Sequence, residues 1–192
     1  MRKTKILILS FVILLVSSSL YAKKYEVSAF IGKPLPHSKP EFKSYRGNLT
    51  FGGSYSMILF NKFALDVELR YASFESDESK TLNKANYKTY LFVIRPEAKS
   101  RNREKVTLDI RTGIGWAWMS LKREQNNSKF NESGFLILPS LRLLTPINKK
   151  ILLFWDLSYP IVFEDFGEDA LKDESTTRWF DFTIGLSYFF KI

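Results

Sequence analysis

The chain has no cysteine and a single histidine, His37, among its 192 residues. The first absence excludes disulfides, thiolate metal sites and a lipid anchor on an N-terminal cysteine. The second leaves little room for imidazole-based metal binding or acid–base chemistry. Beyond the N-terminal segment no stretch of about eighteen consecutive apolar residues occurs, so no membrane-spanning helix is expected. The main apolar run, 6–16, follows Arg2, Lys3 and Lys5 and precedes Ser17-Ser18-Ser19-Leu20-Tyr21-Ala22. That order reads as a secretory signal over residues 1–22, cut after Ala22 or, as the other site, after Ser19. Neither a phosphate loop, a metal constellation nor a nucleic-acid motif is present, and no cofactor is expected.

What the chain does have is aromatic residues, 16% of the total with 17 Phe, and a net charge of +9. Loss of Arg2, Lys3 and Lys5 with the signal leaves 26 basic and 20 acidic side chains, or +6. A basic surface suits an acidic partner. The length fits one domain, over residues 23–192.

Period-two alternation runs through that domain. From Phe180 onward, Phe180, Phe182, Ile184, Leu186, Tyr188 and Phe190 share one face, and Asp181, Thr183, Gly185 and Ser187 share the other. This is a strand with one apolar and one polar face. Seven more such strands are read at 24–32, 47–60, 62–74, 86–99, 104–120, 133–146 and 150–163, with the last at 177–191. Tight polar turns near Asn61, Ser100–Arg103 and Ile147–Lys149 alternate with charged segments of about a dozen residues, Lys33–Arg46, Glu75–Ala85, Leu121–Glu132 and Glu164–Thr176. Short turns at one end and long loops at the other is the arrangement of a transmembrane barrel. The fold class expected is all-β, an eight-stranded antiparallel up-and-down transmembrane β-barrel.

A soluble barrel with its apolar face inward would alternate in the same way. Small residues on the polar face (Gly52, Ser54, Ser56, Gly113, Gly115, Ser140, Ser158, Gly185) favour a polar interior, which at eight strands is barely wide enough for side chains. Aromatic residues gather near strand ends, with Tyr71, Trp116, Trp118, Tyr159 and Phe163 toward the loops and Phe60, Phe63, Tyr188 and Phe190 toward the turns. Two interfacial girdles would look like this.

The last strand carries Thr183-x-Gly185-x-x-Tyr188-x-Phe190. It resembles the C-terminal assembly signal of bacterial outer-membrane barrels, although Lys191 and Ile192 follow where such chains usually stop on an aromatic residue. With the eight strands and the N-terminal signal, the chain resembles the small OmpA/OmpX/OmpW-type outer-membrane barrels over residues 24–192. The resemblance implies export to the bacterial outer membrane, contact with its lipid and with the barrel-assembly machinery, and a monomer. It also implies a structural or surface-interaction role through the external loops, as an anchor, an adhesin or a host-factor binder. A narrow passive conduit is the alternative. Some barrels of this size act on lipid acyl chains with a His and a Ser. Here His37-Ser38 is the one pair of that kind, in a proline-rich loop, and the chain is read as non-enzymatic.

The polar faces collect an interior charge network: Glu26, Asp66, Glu68, Arg70, Arg95, Glu97, Asp109, Arg111, Arg142, Asp156 and Asp181. Buried charges must be paired, so these residues are read as a salt-bridge plug in preference to a channel lining. Facing residues of a hairpin share a face. Centring the turns on Asn61, Asn102 and Lys149 sets Asp66 against Ser56, Glu68 against Ser54, Arg70 against Gly52, Arg95 against Asp109, Glu97 against Thr107, Arg142 against Asp156 and Ser140 against Ser158. Two ion pairs are therefore expected, Arg95–Asp109 and Arg142–Asp156. The basic loop residues Lys33, Lys39, Lys43, Arg46, Lys122, Arg123 and Lys129 suit an acidic surface glycan, but are read in preference as a solvated rim.

Overall fold

The computed structural model describes residues 22–37, 45–59, 63–76, 84–96, 105–122, 129–164 and 176–190. Its elements are β1 (Ala22–Pro36), β2 (Tyr45–Leu59), β3 (Phe63–Ser76), β4 (Lys84–Pro96), β5 (Thr107–Lys122), β6 (Lys129–Pro146), β7 (Ile151–Ser158), β8 (Ile161–Glu164) and β9 (Thr176–Phe190). Neighbours pair antiparallel in chain order, and β9 closes on β1 from Tyr25↔Phe190 to Pro36↔Trp179. Closure leaves no open sheet edge, which is what a strand structure needs where no water can satisfy the backbone.

β7 and β8 pair with the same two neighbours, β6 and β9, and form one barrel strand interrupted at Tyr159–Pro160. The cause is a pair of prolines. Tyr159 N donates to Pro139 O at 2.9 Å, but Pro139 has no N–H to donate in return. Pro160 lacks one as well, and its carbonyl accepts from Trp179 N at 3.4 Å. The barrel is therefore eight-stranded, as expected, with its seventh strand in two pieces.

Alternation sets the faces. Leu108 and Ile110 point outward and are 61% and 63% exposed, while Arg111 and Arg142 point inward at 1% and 2%. Thr183 is inward and buried, and Ile184 lies on the outward side. Apolar outside and charged inside is the polarity of a barrel surrounded by hydrocarbon, and the reverse of a soluble one. Among the outward aromatics, Tyr25 stacks between Tyr55 (5.9 Å) and Phe190 (5.5 Å) at the turn end, and Phe51 meets Tyr71 at 5.0 Å nearer the loop end.

The interior departs from a wholly polar lining. Toward the loop end Ala72, Phe74, Ala117, Met119, Leu136, Leu138, Val162 and Trp179 form one apolar cluster. Toward the turn end Phe30, Ile58, Ala64, Leu144, Leu152, Phe154 and Phe189 form a second. Leu152 and Phe154, which break the polar face of the seventh strand in the sequence, belong to that second layer. A row across four strands explains how it fits: Gly52, Phe30, Gly185 and Phe154 stand side by side. The two glycines alternate with the two rings, which meet edge-on at 6.5 Å. A Cβ at Gly185 would collide with Ala29 O and the Phe154 ring, and one at Gly52 with Leu69 O and the Phe30 ring.

Several expected boundaries are corrected. Strands run on toward the loop end: β1 reaches Pro36, β2 starts at Tyr45, and β6 starts at Lys129. Lys33, Arg46, Lys122 and Lys129 are consequently strand residues, while Lys39, Lys43 and Arg123 fall outside the described residues. Inter-strand hydrogen bonding needs no apolar face, so the ladder continues where charge density rises.

The glycine–ring row makes a test. Gly185→Ala should destabilise the barrel by about 1–3 kcal/mol, as overpacking of a filled interior does. Urea unfolding of the barrel in vesicles reads this out, and Phe154→Leu in the same chain should recover part of the loss.

Candidate functional site in the barrel interior

The register brings the network together before any side chain is considered. Asp109, Arg142, Asp156 and Thr183 stand side by side across β5, β6, β7 and β9, and Arg111, Ser140, Ser158 and Asp181 form a parallel row. Because facing residues share a face, acidic, basic and hydroxyl side chains enter the lumen as neighbours.

Three guanidiniums organise what enters. Arg70 donates from Nε (3.1 Å) and a terminal nitrogen (2.8 Å) to Glu68 Oε1, and from its other terminal nitrogen to Asp181 Oδ2 (2.8 Å) and Ser158 Oγ (2.6 Å). Arg111 reaches Glu68 Oε2 at 2.8 Å, Asp156 Oδ2 at 2.9 Å and Asp66 Oδ2 at 3.3 Å. Arg142 donates from Nε to the same Asp156 Oδ2 at 2.9 Å, and Thr50 Oγ1 donates to Asp181 Oδ1 at 2.8 Å. One continuous chain thus runs Thr50–Asp181–Arg70–Glu68–Arg111–Asp156–Arg142. It joins β2, β9, β3, β5, β7 and β6, and so crosses the lumen from wall to wall.

These are charge-assisted bonds between fully desolvated groups. Two rings complete the surroundings: the Arg142 guanidinium lies 3.9 Å from the Phe154 centroid and that of Arg70 5.0 Å from the Phe30 centroid. The turn-side apolar layer therefore contacts the ion network directly, with cations against ring faces. Toward the turn end Ser28 Oγ lies 2.8 Å from Ser187 Oγ and 3.4 Å from Glu26 Oε1.

Of the expected network residues, Glu26, Asp66, Glu68, Arg70, Asp109, Arg111, Arg142, Asp156 and Asp181 are all buried. The hairpins β2–β3 and β6–β7 have the expected registers, including Arg70 against Gly52 and Arg142 against Asp156. The β4–β5 hairpin does not. Ile94 faces Thr112, so the register is displaced by two residues and Asp109 is not set against Arg95. Asp109 faces Arg142 on its other side, and Arg95 stands opposite Ala64. The connection from β4 to β5 is the long one of the three at this end, and its centre could not be read from polar residues alone. Glu97 falls outside the described residues.

Sequence reasoning missed the role of Arg111 as the link between two halves of the network, and the hydroxyl partners Thr50 and Ser158. It also missed the rings under Arg70 and Arg142. Parity alone would have exposed the rings, since Phe30 and Phe154 occupy inward positions. In the C-terminal pattern, Gly185 has the packing role described above, Thr183 lines the interior, and Tyr188 stacks on Phe190 at 6.3 Å. His37 packs edge-on against Phe180 (5.1 Å) and Tyr159 (5.8 Å) on the outside of the barrel; Ser38 falls outside the described residues.

Asp156 accepts from two arginines through one oxygen, so its loss takes a partner from both. Asp156→Leu should destabilise by about 3–5 kcal/mol, the cost of leaving buried charge without its partner, and by more than Arg142→Met does. A double-mutant cycle on unfolding should give a clear coupling energy between the two positions; a coupling of zero would reject the pair.

No protein-family model matches the chain, and no curated protein matches it in sequence. Solved structures do match in fold. Neisserial surface protein A aligns with a TM-score of 0.60 at 10% identity, over 85% of this chain and 96% of its own. Ail, the attachment invasion locus protein of Yersinia pestis, aligns at 0.55 and 13% identity, over 88% and 99%. The outer-membrane protein OprG of Pseudomonas aeruginosa aligns at 0.55 and 12% identity, over 90% and 98%. The chain has the fold of these small outer-membrane barrels.

Proposed function

We propose that this chain is an integral outer-membrane barrel, exported through a cleaved N-terminal signal, whose lumen is a structural plug and whose activity resides at its loop end. The single observation that carries the reading is the filled interior. A wall-to-wall ion network lies between two apolar layers, which leaves solute passage the less favoured use of the barrel. With the lumen given over to stability, a binding or adhesion role falls to the outer end of the strands and the segments that join them. Arg46, Lys122, Lys129 and Arg178 stand near that end in the strands, so the favoured ligand class is an acidic glycan or an acidic host factor. The fold likeness to Ail adds support, because Ail has been solved in complex with the heparin analogue sucrose octasulfate. Assembly would use Thr183, Gly185, Tyr188 and Phe190 as the signal read by the barrel-assembly machinery, with the product a monomer. The chain is read as non-enzymatic; among the described residues His37 packs on the Phe180 and Tyr159 rings.

Planar-bilayer recording of the purified barrel tests the plug. Baseline current without steady single-channel steps is the expected result, and reproducible unitary steps would favour the conduit instead. The same protein in neutral vesicles should retain heparin at low ionic strength and release it as salt screens the exposed charges. Retention that ignores salt, or no retention at all, would count against an acidic ligand.

A further inference from the structure

The outward wall formed by β5, β6, β7, β9 and β1 is not evenly convex. Leu141, Leu143, Trp155, Phe182, Ile184 and Ile31 line a shallow apolar groove of about 520 Å³ on it. Groove volumes in this range accommodate a ligand the size of a lipid chain segment. Directly loopward, on the same face, stands a cation. Lys33 is exposed, faces Phe182 across the β1–β9 seam, and is flanked along its strand by the exposed Ile31 and Leu35. Farther along the seam His37 N donates to Arg178 O at 3.3 Å, and the His37, Tyr159 and Phe180 rings cluster beside it, with Tyr159 and Phe180 4.6 Å apart.

Lys33 is four residues short of His37 along β1. At about 3.3 Å per residue and a strand tilt near 40°, it lies on the order of 10 Å below that aromatic cluster. It therefore belongs to the outer part of the apolar band. A lysine there is unfavourable unless its stem runs along apolar surface and its ammonium meets an anion or the interface. Among the described residues of β1 and β9, the outward face carries no carboxylate to pair with it. Groove, cation and aromatic rim lie in the order in which a lipid presents its chain, its phosphate and its headgroup.

We propose that this seam binds one lipid with a net negative phosphate headgroup, its acyl chain in the groove and its phosphate at Lys33, with Arg178 nearer the rim. The proposal rests on the membrane reading above and adds a specific site to it.

Trp155 lines the groove and reports on its occupant. In a Trp116→Phe, Trp118→Phe chain, the remaining tryptophans are Trp155 and the buried Trp179. Vesicles of phosphatidylcholine containing dibrominated phosphatidylglycerol, or dibrominated phosphatidylcholine, should quench Trp155 differently. The anionic lipid should be preferred about fivefold, the size of effect expected of one basic residue facing an anionic headgroup. Lys33→Gln should abolish most of the preference while leaving quenching itself intact. Equal quenching by the two lipids, or a preference that survives Lys33→Gln, would overturn the site but leave the barrel in its membrane. Quenching by neither lipid would mean that this wall does not face hydrocarbon, and the membrane reading would fall with the site.

Discussion

One constraint orders the described interior: an inward charge in an eight-stranded barrel shares a narrow space with the side chains of the other walls. The strands enclose barely enough space for their own side chains, and the outward face is committed to apolar residues. Inward carboxylates are therefore met by guanidiniums and hydroxyls, Glu68 by Arg70 on its own strand and by Arg111 across the lumen, and Asp181 by Arg70 and Thr50 on other walls. Arg111 meets this demand most fully, with Glu68, Asp66 and Asp156 converging on it from β3 and β7. The apolar layers above and below then matter electrostatically as well as sterically. By keeping solvent away they strengthen every ion pair between them, and by the same token raise the penalty for breaking one.

Space is the second half of that constraint. Several large inward groups stand beside positions where the neighbouring strand contributes almost nothing. Arg70 faces Gly52, and Phe30 lies between Gly52 and Gly185, with Phe154 beyond. Alternating glycine and ring across strands lets an aromatic side chain cover an adjacent glycine, a device that pins register as well as filling volume. It also gives Gly185, at the centre of the C-terminal pattern, a reason to be glycine that is independent of any receptor that reads the strand.

Much of this was legible in the sequence, for a definite reason. Period-two alternation encodes which side of the sheet a residue faces, so Asp66, Glu68, Arg70, Asp156 and Thr183 could be placed inside from position alone. Register could be read where the turn is short. Leu59 faces Phe63 across residues 60–62, and the 147–150 turn is held by Asn148 Oδ1, which accepts from the Lys150 and Ile151 amides at 2.8 and 2.9 Å. The β4–β5 connection spans 97–106, and a polar midpoint there carries no such geometric information, which is why Arg95 was matched to Asp109. The apolar layers were hidden for another reason. Leu152 and Phe154 look like noise on a polar face until the neighbouring strands show that Leu144 and Phe189 stand beside them. Likewise Arg111 reads as one charge among eleven, because bridging two carboxylate groups from different strands is a property of the closed barrel and not of any hairpin.

On the proposed reading of the interior as a plug, recognition falls to the loop end and the outward wall. At the β1–β9 seam those two surfaces are continuous. Lys33, His37 and Arg178 lead from the apolar groove at Phe182 to the rim without a break in the outward face. The seam is also the pairing that closes the barrel, so the positions of its cations depend on the register that sets Phe30 against Gly185 inside. A change that shifts β9 by two residues would move Phe182 away from Lys33 and Gly185 from between the two rings in a single step. The interior packing thereby fixes the outer surface, by holding that seam in one register.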